Sequence, residues 1–220
     1  MSGFFNIYQY AAPLVILPLS YWLWLERCAG QHRLAALMLA IPVLYAYIVP
    51  AVGTNVLRIW EFNTRLRLGR FRPHHGFVFG SATSLIALAV LPAGGTGAWE
   101  LLRAGFVLGS VLAFWNWLYD VAALRAGFLR VYTRSYAERR GPEAIAMDYA
   151  PPIFGLFGLC YGVSIALAGS VLAGQERWDH YWGFFALANA ACIAFPVAGY
   201  VLWSYWRNGE SGLRSHEGAA

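Results

Sequence analysis

The stretch Ile153–Ala173, IFGLFGLCYGVSIALAGSVLA, decides the fold. It holds no charged residue, and at 1.5 Å per residue a helix of this length crosses the roughly 30 Å hydrocarbon core of a bilayer. Its apolar residues run continuously instead of alternating, which favours a spanning helix over a barrel strand.

Five more segments of the same character lie on either side. They cover about 4–25, 34–57, 77–91, 101–124 and 181–206, leaving 207–220 as a polar C-terminal tail. The expectation is an all-α integral membrane protein, a six-transmembrane-helix bundle forming one polytopic domain over residues 1–206. Composition agrees: of 220 residues 59% are apolar and only 12% are charged, against about 25% charged in soluble domains. The N-terminus carries no basic region or cleavage site ahead of its apolar run, so that run reads as a retained anchor.

The net charge of +5 rests on arginine alone, because the chain has no lysine. That excludes a Schiff-base retinal protein and points to a GC-rich bacterial source. The arginines flank apolar spans, so they signal topology rather than nucleic-acid binding. Arg58, Arg65, Arg67, Arg70 and Arg72 lie between the second and third spans, and Arg125, Arg130, Arg134, Arg139 and Arg140 between the fourth and fifth. Arg207 and Arg214 follow the sixth. The other side has Arg27, Arg33 and Arg177, with Arg103 just inside the fourth span. This bias places both termini in the cytoplasm, in a bacterial inner membrane. Aromatic belts mark the same edges: Tyr21, Trp22, Trp24, Trp99, Trp178 and Trp182 outside, and Trp60, Trp115, Trp117, Trp203 and Trp206 inside.

Small residues recur every fourth position at Gly158, Gly162, Ala166 and Ser170, and at Ala186, Ala190, Ala194 and Ala198. Such stripes let helix backbones approach closely within a bundle. Pro13, Pro18, Pro42, Pro50 and Pro196 are expected to bend or open the first, second and sixth helices. The segment RAGFLRVYTRSYAERRGPEA, residues 125–144, puts Phe128, Val131, Tyr132 and Tyr136 on one helical face and reads as a short interfacial helix ended by Gly141-Pro142.

Polar groups at membrane depth are costly and mark candidate sites. Asn55, Asn116 and Asp120 lie near the inner ends of their spans, with Asn116 and Asp120 one turn apart. Glu61, His74, His75 and Asp148 join them on that side, while Asn189 lies mid-span. Glu61 is equally spaced to pair with Arg58 and Arg65 on a helix extension. Cys28, Cys160 and Cys192 are scattered, and adjacent histidines point different ways, so no metal site or cofactor is evident. No HExxH, nucleophile elbow or phosphate loop occurs.

Two short segments resemble known families. RFRPHHGFVFGSATSLIALAV, residues 70–90, resembles the stretch after the aspartate-rich motif of UbiA-type membrane prenyltransferases, where an Arg-Pro and a following Gly precede a helix. The paired aspartates of that family are absent. FFALANAACIAFP, residues 184–196, resembles the last helix of emopamil-binding-type sterol isomerases, in which an Asn lies seven residues before a Pro. That resemblance implies that Asn189 contacts substrate. Cys192 stands where the family has tryptophan, and Leu57 where a histidine would precede Glu61.

The expected function is a membrane-embedded enzyme working on an apolar lipid or isoprenoid-type substrate at the cytoplasmic leaflet, by isomerisation, cyclisation or group transfer. A carboxyl partly removed from water holds a proton that it can donate to an alkene or epoxide. Glu61, Asp120, Asp148, His74 and His75 are the candidates for proton transfer. Asn55, Asn116, Asn189, Trp117, Arg65 and Arg72 are the candidates for substrate contact. The expected partners are the bilayer, a lipid-like small molecule and a second copy or complex partner. The alternatives are a non-catalytic subunit or assembly factor of a membrane complex and a small-molecule transporter.

Overall fold

The computed structural model describes residues 2–92, 97–172 and 178–219. Ala173, Glu176 and Arg177, the expected end of the fifth span and two outer-loop charges, lie outside these residues. The chain is mostly helical. The long helices are α1 (residues 2–27), α2 (His32–Val56), α3 (His75–Val90), α4 (Ala98–Arg125), α7 (Ala150–Val171) and α8 (Trp178–Asn208). Two short ones, α5 (Arg134–Ala137) and α6 (Pro142–Met147), lie between α4 and α7.

Four helices, α2, α4, α7 and α8, are long and apolar enough to cross a membrane. The other two expected spans fall short of that measure for visible reasons. In α1 a π turn at Ala12–Ile16, containing Pro13, divides the helix. The 16 residues of α3 rise only about 24 Å. The helices turn large apolar side chains outward: Leu14, Phe106, Leu187 and Trp206 are 71–77% exposed, a pattern that lipid accepts and water penalises. This is the architecture of an all-α membrane protein.

The prolines act locally. α2 also ends in a π turn, Val52–Val56, just after Pro50, while Pro42 and Pro196 sit inside unbroken helices. The glycine stripe fulfils its packing role on α7. A Cβ built on Gly158 would lie 2.7 Å from the Gly109 Cα, and one on Gly162 would lie 2.6 Å from the Ala104 carbonyl. Backbone therefore meets backbone along the α4–α7 seam. The core at mid-depth is Leu37, Ile41, Leu108, Leu112, Phe157 and Tyr161, all fully buried.

The end of the bundle that carries the arginine-rich segments departs from an all-helical picture. β1 (Trp60–Phe62) pairs antiparallel with β2 (Leu129–Val131), with Glu61 opposite Arg130. Glu61 is thus on a strand, not on a helix extension. The expected single interfacial helix over 128–140 is a strand followed by α5. Gly141 and Pro142 begin α6 instead of ending a helix, because proline at the first helical position costs no hydrogen bond. A second apolar cluster, including Phe5, Phe62, Phe128 and Ile145, packs beneath the ribbon.

The C-terminal tail folds back over the same end. Tyr200 donates to the Gly212 carbonyl (2.7 Å), Ser215 to the Arg58 carbonyl (2.7 Å) and the His216 amide to the Tyr132 carbonyl (3.0 Å). Glu217 pairs with Arg70 at 2.8 Å.

Candidate functional site

A cavity of about 260 Å³ lies among α2, α3, α4, α7 and α8, with the β ribbon as its floor. Its body is apolar: Ile48, Val49 and Val52 from α2, Phe79 from α3, Phe154 from α7, and Ile193 and Val197 from α8. Polar groups gather at the ribbon end, where Arg72, His75, Asn116, Tyr119, Asp120, Tyr149 and Tyr200 line the wall. An apolar pocket with a few convergent polar groups is the usual form of a small-molecule site.

Periodicity explains which candidates reach this wall. On β1, Trp60 and Phe62 line the cavity, so Glu61 between them faces away. The same holds for β2, where Leu129 and Val131 line it and Arg130 does not. Glu61 and Arg130 therefore meet outside, 3.6 Å apart, and Glu61 accepts the Tyr132 hydroxyl proton at 2.6 Å. Burial, and next that carboxylate, push the Tyr132 phenol up to about 12.

On α4, Asn116 and Asp120 share the inward face. Asp120 is 8% exposed, and its Oδ2 accepts from the Tyr149 hydroxyl at 2.8 Å. Burial, with Asp120 second, holds Tyr149 well above the phenol range, so this hydroxyl is a donor at neutral pH. Asn116 spends its Nδ2 on the Leu112 carbonyl one turn back (2.9 Å).

Arg72 enters the cavity just before α3 and is only 1% exposed. Its Nη2 lies 2.6 Å from the His75 Nδ1. Arginine has no acceptor, so this His75 nitrogen accepts and the ring carries its proton on Nε2. The guanidinium stacks 4.2 Å over the Phe62 ring and 5.3 Å over Phe128. Burial brings it down to about 10, against support from Tyr119 and Tyr8, so it remains cationic at neutral pH. Among the described residues, no carboxylate oxygen comes within 4 Å of it, and its Nε and Nη1 have no hydrogen-bond partner.

The remaining candidates lie elsewhere. His74 faces α1, stacked on Tyr10 with its Nε2 3.2 Å from the Gln9 Oε1. Burial, then Arg72, lowers it to about 4. Asp148 is 1% exposed but pairs with Arg207 at 2.9 Å, behind the cavity wall. Asn55 accepts the Arg70 amide (2.9 Å) and ties down the turn at Gly69, whose φ is +63°. Asn189 donates to the Phe185 carbonyl of its own helix (2.7 Å), with its Oδ1 buried and unpartnered. Trp117 is half-buried off the cavity wall, and Arg65 is exposed.

Two of the five proton-transfer candidates, His75 and Asp120, thus share one cavity with Asn116 and Arg72. Sequence reasoning missed Tyr119 and Tyr149, each adjacent to an aspartate it had singled out. It also missed Leu213, which the folded-back tail contributes to the wall.

Other hollows carry less chemistry. A lateral groove of about 710 Å³ between α4, α7 and α8 has no ionisable lining residue. A hollow of about 450 Å³ at the opposite end is lined by Arg27, Gln31, Glu100 and Arg103 among others. Among the described residues, no group of three histidine, cysteine or acidic side chains is placed to hold a metal ion. Comparison with protein-family models, curated proteins and solved structures finds no match to any of them.

Proposed function

We propose that this protein is a membrane-embedded enzyme that moves protons on an apolar, unsaturated lipid or isoprenoid-type substrate. The observation that carries the reading is the Asp120–Tyr149 hydrogen bond at the polar end of an apolar cavity. Asp120 transfers the proton, with Tyr149 as its partner. The Asp120 carboxyl gives its proton to one alkene carbon and, as the carboxylate, removes a proton from the carbon at the other end of the shifting double bond, while the His75 Nε2–H and Asn116 orient the substrate. Aromatic faces of Tyr119, Trp60 and Phe154 stabilise positive charge developing on the substrate. An isomerisation of this kind adds one proton and removes another, so it consumes no oxidant or co-substrate.

In the same proposal six helices span a bacterial inner membrane, both termini are cytoplasmic, and the cavity opens toward the inner leaflet. Support comes from the arginines: the 58–72 segment, the 125–149 segment and the tail all gather at one end of the bundle, as the positive-inside rule requires of a cytoplasmic face.

The test works on a lipid mixture, with no single substrate chosen. Protein is reconstituted with bacterial lipid extract and polyisoprenoids in deuterated water, and deuterium in lipid C–H positions is read by mass spectrometry. Wild type incorporates deuterium, and Asp120→Asn slows this by about 10²-fold or more, the usual contribution of a general acid–base group. No incorporation by wild type, or an unchanged rate in Asp120→Asn, overturns the proposal.

One observation favours a transporter as second reading: hollows with charged lining residues lie at both ends of the bundle. The layer between them, Leu108, Leu112, Phe157 and Tyr161, is fully buried, so a path would require those helices to part. Solute flux into liposomes distinguishes the two.

A further inference from the structure

The guanidinium of Arg72 is the least satisfied group in the cavity. A buried cation normally has a carboxylate partner or a full set of acceptors, because removing it from water costs several kcal/mol otherwise. Arg72 has the His75 Nδ1 as its one close acceptor, the Tyr119 hydroxyl beside it and two aromatic faces. Asp120, on the same cavity wall, gives its Oδ2 to Tyr149 instead. Two of the three guanidinium nitrogens stay unfilled.

The Arg72 side chain borders open space. Besides the main cavity, Arg72 and His75 line a side pocket of about 50 Å³ with Tyr8, Thr83, Asn116 and Tyr119. A water occupies about 30 Å³ of liquid, so the pocket takes a few atoms and no more. The α3 helix begins at His75, so the positive end of its dipole faces the same place. His74, lowered to about 4, adds no charge near neutrality. The positive charge of Arg72, a small recess of mixed lining and the apolar hollow beside it describe a ligand with two unlike parts.

We infer that Arg72 is an anion-binding subsite, and that the cavity's ligand is an amphiphile whose phosphate or carboxylate head meets Arg72 while its hydrocarbon chain fills the apolar body. This rests on the reading of the cavity as a lipid-substrate site and adds the head-group class. The driving force is the pairing of a charge already stripped of water, so the protein has met that part of the desolvation cost before the ligand arrives. Arginine suits the task better than lysine, because its planar fork matches oxyanion geometry and stacks on Phe62 and Phe128.

The experiment compares decyl phosphate, decanoate, decanol and inorganic phosphate by calorimetry on nanodisc-embedded protein, with empty nanodiscs subtracted. The two anionic amphiphiles should bind about tenfold or more tighter than decanol, the margin between charge-assisted and neutral hydrogen bonds. Inorganic phosphate should not displace them at equal concentration. Arg72→Gln should erase the gap and Arg72→Lys should restore part of it. Decanol binding as tightly as decyl phosphate, or a gap that survives in an Arg72→Gln protein of wild-type helicity, overturns the inference. So does inorganic phosphate competing as an equal, since the chain would then contribute nothing. If Arg72→Gln does not fold, the wild-type ligand series alone decides.

The outcome is separable from that of the proposed function. Anion preference without deuterium exchange keeps the subsite and sinks the proton-transfer reading. Deuterium exchange without anion preference does the reverse.

Discussion

Replacing Gly158 by alanine tests whether the α4–α7 seam holds the candidate site in register. The added Cβ would lie 2.7 Å from the Gly109 Cα, 2.8 Å from the Leu108 carbonyl oxygen and 3.0 Å from the Gly109 nitrogen. Non-bonded heavy atoms are comfortable at about 3.5 Å, so the helices must part by roughly 0.8 Å. All three neighbours are backbone, so no rotamer change can relieve the clash. Overpacking of this kind costs about 1–3 kcal/mol, and the upper half applies here. Alanine returns about 1 kcal/mol of helix propensity, leaving a net loss of about 1–2 kcal/mol. Gly169 on the same helix is the control: its added Cβ meets nothing within 4 Å, so Gly169→Ala should gain up to about 1 kcal/mol. Unfolding both variants by titration with a denaturing detergent, followed by helical circular dichroism, reads the difference. The seam also sets the site. Asp120 belongs to α4 and Tyr149 precedes α7, with 2.8 Å between them. A separation near 0.8 Å takes that contact beyond hydrogen-bond range, so deuterium exchange into lipid should fall as well. Equal stability of Gly158→Ala and Gly169→Ala would refute the reasoning.

The pH response should follow His74. Its proton affinity drops from the ordinary 6.5 to about 4 on folding, so the unfolded chain binds more protons between those values. The His74 contribution is therefore complete above about 6.5 and is lost as pH falls toward 4, and His75, which burial also holds well below its ordinary value, acts in the same direction. A His74→Gln protein should melt with a flatter profile over that window. Asp148→Asn strips the partner from Arg207 and should cost roughly 2–3 kcal/mol, at or below the buried-pair range because Arg207 can turn toward water. Adding Arg207→Leu should recover part of the loss in a double-mutant cycle. Deleting residues 209–220 removes the bonds from Ser215 to Arg58 and from His216 to Tyr132. Amide hydrogen exchange at 58–62 and 129–132 should then quicken, while exchange within α4 and α7 stays slow.

The helices were legible because each is a local pattern: an apolar run of known length, a small-residue stripe, a proline. The inward face of α4 was legible for the same reason, since Asn116 and Asp120 are four residues apart. The β ribbon was not, because Trp60–Phe62 and Leu129–Val131 are three residues each, too short to show alternation, and their pairing is non-local. That single omission moved Glu61 to the wrong side of a wall. Arg72 was one of five arginines in a segment whose charge reads as topology, and nothing local separates it from exposed Arg65. Its burial depends on Phe62 and Phe128, the residues flanking the ribbon's far corner. Asp148 looked like a site residue because it lies at the inner edge of a span, but its partner Arg207 lies 59 residues away.

The ribbon also imposes an order of events. Glu61 and Tyr132 are 71 residues apart, and ribosomes add about 5–20 residues per second. For several seconds of synthesis, then, α1, α2 and α3 exist while β1 has no strand to join. The cavity gains its floor only when β2 emerges, and the wall residue Leu213 only after α8 has been made. A nascent chain therefore has no closed chamber until the residues after α8 fold back over the ribbon.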